Sequence, residues 1–436
     1  MTKFIEPKVL KGFRDFLPAM EIERRNLIER IEASFRSFGF VPIDTPALEY
    51  AEILLGKGGG ETEKQIYRFL DHGGRDVALR FDLTVPFARF LAEHRGELPL
   101  PFKRYHIAKV WRGENTQRGR YREFTQCDFD IVGGDAAAAD FEILLMMRDA
   151  LKAVGAGESV IRLNHRGLFN RFLGRLGAGE RTAEILRVVD KLAKIGRDAV
   201  RTSLKEIAGD DAAERILDYV EARGSFEETL KALTAAAGGE GPDTERLAIL
   251  YRFMADTGVA SSFSLDPSIT RGLDYYTGVV YETFLNELPG IGSVCSGGRY
   301  DDLAGLYSPE KLPGVGASIG LDRLIAALES LGKSGCGTTY ARAALACVHE
   351  SLGGRYQALA ERFRAAGIPC EVFTGAKKLS GQFVLAEKKG IPWVIIPGEN
   401  PGADPMTLRE LERRQDRENL SFDEAVALLK GGKTGV

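Results

Sequence analysis

The chain has 436 residues, of which 44% are hydrophobic and 28% charged, as expected of a globular protein with a large buried core. Its formal net charge is −3, so the whole molecule does not attract nucleic acid, and any such contact requires a local basic patch. The five cysteines are widely spaced without a metal-binding pattern, and no run is apolar enough for a membrane span, so we expect a reduced, cytoplasmic protein.

The N-terminal part of the chain predicts a helix followed by a strand. Between residues 18 and 38, apolar side chains recur at helical spacing, and Gly39 stands where a left-handed C-terminal cap is expected. Residues 40–46 are typical of a strand that ends at a proline. The glycine-rich stretch 56–60 lacks the Gly-Lys-Ser/Thr ending of a phosphate-binding loop and is interpreted as a surface loop.

Residues 77–86 predict a second strand that carries polar side chains. A two-residue period places Asp82 and Thr84 on one face and turns Leu83 to the other. An acid and a hydroxyl on one face could contact water, and they could equally hold an ammonium group.

The stretch from residue 111 to residue 130 is the most informative in the sequence. The segments 105–111 and 123–131 favour strands, and an antiparallel pair would hold the intervening loop at its tip. The planar, permanently charged forks of its arginines suit phosphate better than a core, although a solvated arginine-rich hairpin is the simpler interpretation of such a loop alone. These arginines are Arg112, Arg118, Arg120 and Arg122.

The middle of the chain changes from mixed to helical character and back. Residues 140–154 predict a helix, 160–164 a strand, and 167–255 a series of helices separated by glycines, which we interpret as an insertion without recognisable chemistry. Strand character returns between residues 261 and 285, where a turn with an arginine, an acid and two adjacent tyrosines occupies residues 271–276.

Residues 314–324 predict a glycine-rich strand that passes directly into a helix. Arg323 falls in the first turn of that helix, where a cation is unfavourable beside the positive end of the helix dipole unless an anion offsets it. After a linker at 332–339, strands and helices alternate with short connections, which indicates a small α/β domain on a parallel or mixed sheet.

Three arginines, Arg112, Arg271 and Arg323, lie in separate glycine-rich segments that contain no Ser/His/Asp or Cys/His nucleophile set and no zinc ligand cluster. Such a site suits a reaction whose nucleophile comes from the substrate. Phosphoryl or nucleotidyl transfer to a carboxylate fits, because positioning and charge stabilisation supply most of its catalysis.

The chain resembles the class II aminoacyl-tRNA synthetases and, among them, the histidyl-tRNA synthetase family. The N-terminal helix and strand resemble the dimer-forming first motif, residues 112–130 the second and 316–324 the third. Residues 271–276 and 297–301 resemble two signatures peculiar to the histidine enzymes. Asp322 departs from the pattern, because the family often has glutamate before the third-motif arginine.

The resemblance implies an α+β catalytic domain with an antiparallel sheet flanked by helices, a helical insertion and a C-terminal α/β anticodon-binding domain. The implied boundaries are 1–166 with 256–333 for the catalytic domain, 167–255 for the insertion and 340–436 for the anticodon-binding domain. The implied activity is histidine–tRNA ligation, with L-histidine, ATP accompanied by Mg²⁺, and tRNA(His) as partners of a cytoplasmic homodimer.

The resemblance also assigns roles by residue. Asp82, Thr84 and Gln126 would hold the α-ammonium group, while Asp130 and Tyr276 would each contact one imidazole nitrogen. The implied histidine-binding set is Asp82, Leu83, Thr84, Arg112, Gln126, Asp130, Arg271, Tyr275 and Tyr276. The implied ATP-binding set is Arg112, Glu114, Phe124, Arg271 and Arg323, of which the three arginines are catalytic. Gln117 and Arg120 would approach the tRNA acceptor end, and no side chain is assigned to a metal.

Two other functions are compatible with parts of this resemblance. The regulatory subunit of ATP phosphoribosyltransferase has a synthetase-like core that binds histidine without charging tRNA, but it lacks the C-terminal domain and its motif arginines are eroded. A synthetase-like sensor of uncharged tRNA would normally be joined to a kinase, and no kinase signature occurs in the sequence.

Overall fold

The computed structural model describes residues 4–56, 61–156, 158–270, 276–301, 305, 307, 310–335, 337–375 and 378–431. They fall into two compact units. The first lies within Met1–Arg14 and Leu27–Ser334, and the second lies within Asp15–Asn26 and Gly335–Val436. No helix in these ranges is both long and apolar enough to cross a membrane. The predicted loop at 56–60 lies outside the described residues from position 57 onwards.

The first part of the chain alternates helices and strands. Its elements are α1 (Pro18–Ser37), β1 (Val41–Pro42), β2 (Leu48–Tyr50), α2 (Ala51–Leu55), α3 (Glu61–Gln65), β3 (Arg68–Leu70), β4 (Asp76–Leu79), α4 (Thr84–Glu93), β5 (Phe102–Trp111), β6 (Glu123–Val132), α5 (Ala137–Ala153) and β7 (Ser159–His165). The predicted helix at 18–38 is confirmed. The strand predicted at 40–46 is reduced to β1, in which Pro42 has no N–H to continue a ladder.

The helices predicted between residues 167 and 255 are confirmed. They are α6 (Arg166–Arg175), α7 (Thr182–Val189), α8 (Leu192–Ile195), α9 (Arg197–Ala208), α10 (Asp210–Val220), α11 (Phe226–Ala236) and α12 (Pro242–Asp256). Gly196 and Gly209 adopt φ values of 83° and 86°, which L side chains rarely adopt, and these glycines separate α8, α9 and α10. The Ser225 hydroxyl and the Glu228 carboxylate form a capping box that starts α11.

The first unit is built on an eight-stranded sheet. Its last elements are β8 (Phe263–Leu265), β9 (Val279–Leu285), β10 (Cys295–Tyr300), β11 (Gly314–Gly320) and α13 (Leu321–Ser330). The strand order is β1-β5-β6-β11-β10-β9-β7-β8, antiparallel throughout except for the parallel pairs β1–β5 and β7–β8. Strands β2, β4 and β3 form a separate three-stranded sheet.

Strand β6 separates the core of this unit from its polar face. Phe129 packs on Phe35 of α1, with 4.8 Å between ring centroids, and the same core includes Met146 and Met147 of α5. Because side chains alternate along a strand, the polar residues at positions 126, 128 and 130 are turned away from that core. The predicted antiparallel sheet flanked by helices is therefore confirmed.

The second unit contains a five-stranded mixed sheet. Its elements are β12 (Ala343–Leu345), α14 (Gly353–Ala365), β13 (Cys370–Val372), α15 (Leu379–Lys389), β14 (Trp393–Ile396), β15 (Met406–Glu410), β16 (Gln415–Leu420) and α16 (Phe422–Gly431). The order is β13-β12-β14-β15-β16, with β12 parallel to β13 and β14 and the last two pairs antiparallel. The predicted α/β character is confirmed, but β15 and β16 were not predicted.

Candidate active site

A cavity of about 500 Å³ lies on the polar face of the eight-stranded sheet. It brings together residues from β6, β9, β10, β11 and the segments that precede α4 and follow β5. The residues expected at the site that line it are Asp82, Thr84, Arg112, Glu114, Arg120, Phe124, Gln126, Asp130, Tyr276 and Arg323. Leu83 and Gln117 do not line it, and Arg271 and Tyr275 lie outside the described residues.

Asp82 and Thr84 do not lie on a strand, contrary to the prediction. Strand β4 ends at Leu79, and Thr84 begins helix α4. The Asp82 carboxylate accepts a hydrogen bond from the Val85 N–H at 3.1 Å, which satisfies a donor of the first helical turn. Leu83 is fully buried at the start of the same helix. The helix start therefore aims the acid and the hydroxyl into the cavity.

The Asp82 side chain is 1% exposed, and its second oxygen, Oδ2, has no hydrogen-bond partner among the described residues. Burial raises the pKa of Asp82 to about 6, although Val85 N–H and Arg112 act in the opposite direction. A buried carboxylate oxygen without a donor favours a cationic ligand at this end of the cavity.

Asp130 is held by two partners that the sequence did not reveal. Its Oδ2 lies 2.6 Å from Arg104 Nη2, and the Tyr300 hydroxyl donates to its Oδ1 at 2.8 Å. Burial raises the pKa of Asp130, while Arg104 and the hydrogen bond from Tyr300 lower it. Arg104 is paired with Asp130 in the register of β5 and β6, and its guanidinium also lies 4.0 Å above the Phe87 ring. The carboxylate is thus fixed in one orientation.

Glycines of two neighbouring strands leave space for these side chains. A Cβ on Gly316, which is opposite Asp130 in the register, would lie 2.0 Å from Asp130 Oδ1. A Cβ on Gly297 would lie 2.1 Å from the Gly316 carbonyl oxygen and 2.7 Å from the Tyr281 ring. Both positions therefore require glycine.

Replacing Tyr300 by phenylalanine tests the fixation of Asp130. Loss of the hydrogen bond leaves a buried carboxylate oxygen unsatisfied, at a cost of about 1–3 kcal/mol. If the cavity binds histidine and ATP as the resemblance implies, we expect the KM for histidine to rise by about 10-fold and the KM for ATP to stay constant in pyrophosphate exchange. Tyr307→Phe removes a 2.8 Å hydrogen bond to the Ile53 carbonyl outside the cavity and provides the matched control. An equal effect of the two substitutions would contradict the assignment.

Gln126 and Asp128 lie beside Asp130 on the same face of β6. The Gln126 amide donates to the Ser318 hydroxyl at 2.8 Å, and its carbonyl oxygen has no partner among the described residues. Asp128, which received no role from the sequence, also lines the cavity and is 2% exposed. Burial, together with the negative charges of Asp130 and Asp82, raises the pKa of Asp128 to about 7, while Arg104 and a hydrogen bond with Ser318 act in the opposite direction.

Basic and aromatic side chains also line the cavity. The Arg112 guanidinium lies 5.2 Å above the Phe124 ring, and its Nε donates to the Phe81 carbonyl at 2.8 Å. Glu114 lies between two arginines, 3.9 Å from Arg112 and 3.8 Å from Arg120. A half-buried aromatic ring beside fixed cations can hold a planar base and its phosphates.

Arg323 reaches the cavity from helix α13. It lies in the first turn, as predicted, and its guanidinium donates to the Ser293 carbonyl. The neighbouring Asp322 accepts a hydrogen bond from the Thr125 N–H at 2.7 Å and pairs with Arg14. Asp322 therefore ties α13 to β6.

The tip of the basic hairpin is a tight turn that contributes Gly119 and Arg120 to the lining of the cavity. Gln117 and Arg120 form an isolated antiparallel bridge, with Arg120 N–H donating to the Gln117 carbonyl at 2.8 Å, and Gly119 adopts a φ of 72°. Gln117 is exposed, whereas Arg120 lines the cavity. The turn places the two side chains next to each other at the cavity mouth.

Helix α7 contributes a wall that the sequence did not indicate. Ala183, Leu186, Arg187 and Asp190 of this helical region line the cavity.

Within the part of the chain that the structure describes, no group of three or more His, Cys, Asp or Glu side chains could hold a metal ion.

Comparison with family models gives two matches that together span most of the chain. Residues 12–324 match the model described as histidyl-tRNA synthetase, and residues 342–431 match the model described as anticodon binding domain. The eight-stranded sheet and its cavity fall within the first match, and the five-stranded sheet falls within the second.

Similar proteins cover the whole chain. A histidine–tRNA ligase of Treponema denticola is 51% identical over 99% of this chain and 100% of its own, and one of Helicobacter hepaticus is 44% identical over 98% and 99%. The crystal structure of histidyl-tRNA synthetase from Nostoc sp. PCC 7120 superposes with a TM-score of 0.88 at 32% identity, covering 98% of this chain and 99% of that one. A structure from Bacillus halodurans, described as an ATP phosphoribosyltransferase regulatory subunit/histidyl-tRNA synthetase, shares the fold at 23% identity, with a TM-score of 0.75 over 90% of this chain and 99% of that one.

Proposed function

The chain belongs to the histidyl-tRNA synthetase family and joins histidine to tRNA with the use of ATP, and we propose how its residues divide that reaction. The observation that carries the proposal is one cavity lined by the buried acids of β6 and of the segment before α4 and also by Arg112, Arg323 and Phe124. We call the part lined by the acids the acidic end and the part lined by Arg112, Arg323 and Phe124 the basic end. An amino acid and a nucleotide can meet there with the carboxylate facing the α-phosphate.

The acidic end binds histidine in this proposal. Asp82 and Gln126 each offer a buried acceptor atom without a partner among the described residues, which suits the α-ammonium group. Asp130 and Tyr276 contact the two imidazole nitrogens. Imidazole offers a polar atom on two edges of a flat ring, so an amino acid that lacks them leaves buried groups unpaired and is rejected. Leu83, buried behind the helix start, holds the backbone at the pocket wall.

The basic end binds ATP. Adenine lies on Phe124, while Arg112, Glu114 and Arg323 hold the ribose and phosphates from two sides. A carboxylate oxygen of histidine attacks the α-phosphorus, the bond to the β-phosphate breaks, and pyrophosphate leaves with the electron pair. Arg112 stabilises the charge that develops on the α-phosphate. By family resemblance Arg271 and Tyr275, which lie outside the described residues, complete the contacts to the α-phosphate and to histidine.

Mg²⁺ accompanies the nucleotide. The described residues provide no cluster of three ligating side chains, and Mg²⁺ is typically held by substrate phosphates, water and one or two carboxylates. We therefore assign most of its ligands to ATP and water. When bound, the ion would neutralise phosphate charge, while the side chains assigned to histidine and ATP orient the reactants.

The second step transfers the histidyl group to tRNA. The terminal adenosine hydroxyl of tRNA(His) attacks the carbonyl carbon, and AMP leaves. The hairpin tip with Gln117 and Arg120 stands at the cavity mouth, where the acceptor end enters, and Gln117 is the candidate reader of the extra 5′ guanosine. We propose the division into catalytic domain (1–166 and 256–333), helical insertion (167–255) and anticodon-binding domain (340–436) on the same grounds.

The regulatory alternative is disfavoured by the match of residues 342–431 to the anticodon binding domain.

We further propose a cytoplasmic homodimer. The small sheet that follows the first motif exposes apolar side chains of β2 and β3, which supports a subunit contact at this sheet. These side chains are Leu48, Tyr50, Phe69 and Leu70. The mass in solution, measured by light scattering, tests the dimer.

Charging of tRNA with labelled histidine tests the complete function. We expect the full-length protein to charge tRNA(His), and Gln117→Ala to reduce charging by at least about 10-fold while histidine-dependent pyrophosphate exchange stays unchanged, because only the second step uses the hairpin tip. Exchange without any transfer to tRNA by the unaltered protein would contradict the ligase assignment.

A further inference from the structure

Asp128 is a buried acid of the cavity to which neither the sequence nor the proposed division of roles gives a task. It follows Gln126 and precedes Asp130 by two residues each on β6, so the three side chains share one face. All three line the cavity, and Asp128 is opposite Ser318 of β11 and His106 of β5 in the register.

Three acceptor atoms at this end have no hydrogen-bond partner among the described residues. They are Asp82 Oδ2, Gln126 Oε1 and Asp128 Oδ1, all essentially inaccessible to solvent, and they are counted apart from Asp130 Oδ2, whose charge is balanced by Arg104 at 2.6 Å. Buried polar atoms are almost always paired in folded proteins, so a set of three that faces one cavity indicates a ligand that supplies donors. The Thr84 hydroxyl is different, because its side chain is only half-buried.

The charges at this end favour a cation. Asp130 is neutralised by Arg104 at 2.6 Å, whereas no ion pair at this distance joins Asp82 or Asp128 to a described residue. The negative charge of Asp82 raises the pKa of Asp128, because two like charges repel each other. A cation between the two carboxylates would favour the charged form of both. A primary ammonium has three N–H donors and no acceptor, which matches three acceptor atoms, two of them on carboxylates that form no ion pair with a described residue.

We propose that Asp128 is a ligand of the α-ammonium group of histidine, forming with Asp82 and Gln126 a set of three acceptors for its three N–H donors. The inference rests on the proposed function. It adds Asp128 to the acceptors at this end, and it assigns the selection for a free amino group to strand β6 and the start of α4 together.

Titration calorimetry of the full-length protein with three ligands tests the proposal. L-histidine and histidinol carry the ammonium group, and 3-(imidazol-4-yl)propionate lacks it. We expect Asp128→Asn to weaken histidine and histidinol by about 10- to 100-fold and to leave the desamino compound within about twofold, because a charge-assisted hydrogen bond is lost only with the first two. Asp266→Asn neutralises a buried acid outside the cavity and serves as the control.

Two results would overturn the proposal. One is an unchanged affinity for histidine, and the other is an equal loss for the desamino compound, which would assign Asp128 to the imidazole or to the fold. Asp128→Ser removes the carboxylate without added volume and replaces the first variant if asparagine prevents folding. Failure of the unaltered protein to bind histidine would instead reject the proposed function, so the two failures are distinguishable.

Discussion

Replacing Arg112 by alanine is expected to reduce the kcat of histidine-dependent ATP–pyrophosphate exchange by about 10²- to 10³-fold, the effect of removing one preorganised donor at a developing charge. The guanidinium is held in place before ATP arrives, by the Phe81 carbonyl at Nε and the Phe124 ring 5.2 Å from its carbon. Arg112→Lys keeps the charge but loses the planar fork, so we expect at least a 10-fold reduction there as well.

Arg118→Ala is the matched control for this experiment. Arg118 stands in the same basic hairpin, is exposed, and does not line the cavity. We expect it to exchange pyrophosphate at the unaltered rate. Because Arg112 also joins two segments of the fold, the unfolding temperature of each variant is measured beside the rate. A rate for Arg112→Ala within threefold of the unaltered protein would remove Arg112 from the proposed mechanism.

Gly316→Ala is expected to abolish histidine binding through the shape of the pocket alone. The new Cβ would lie 2.0 Å from Asp130 Oδ1 and 2.7 Å from the Phe129 carbonyl oxygen, so the carboxylate must move and the strands must separate. Such overpacking costs about 1–3 kcal/mol of stability. We expect the KM for histidine to rise by at least about 100-fold in the exchange assay, together with a lower unfolding temperature.

Gly320→Ala, at the end of the same strand, separates crowding from loss of glycine. Its Cβ would meet nothing closer than 3.9 Å, and the backbone φ of −79° accommodates alanine. We expect this variant to keep the unfolding temperature and the KM for histidine of the unaltered protein. Equal behaviour of the two variants would show that the close approach of Gly316 to Asp130 is not required.

Strands and helices whose apolar residues recur at regular spacing could be predicted from the sequence. Those without such spacing could not. The helix at 18–38 and the strand pair flanking the basic hairpin carry that period. Strand β16 is a sheet edge whose residues are almost all exposed, so it lacks the alternation that marks a half-buried strand. It therefore escaped prediction together with its neighbour β15.

The start of α4 shows why a short apolar run misleads. The residues around Asp82 contain Val, Phe and Leu in an order compatible with a strand, and a period of two matched their pattern. The decisive signal was the acid three residues before Val85, which satisfies an N–H of the first turn. A polar residue before an apolar run should therefore be tested as a helix start.

The partners of Asp130 could be identified only from the fold. Arg104 reads as a surface cation in strand β5, yet it is fully buried because Asp130 lies opposite it in the register. Tyr300, 170 residues from Asp130 in the chain, reaches the same carboxylate from another strand. Single-sequence patterns identify which residues can perform the chemistry, whereas the pairs that fix them in space depend on strand order.

Pyrophosphate exchange by the unaltered full-length protein, measured with each of the twenty amino acids, tests the central assignment of the cavity most directly. We predict exchange that depends on histidine, with every other amino acid reduced by at least about 10⁴-fold, because a pocket built to pair both imidazole edges leaves buried groups unpaired with any other side chain. Absence of exchange with histidine, or comparable exchange with another amino acid, would contradict the account.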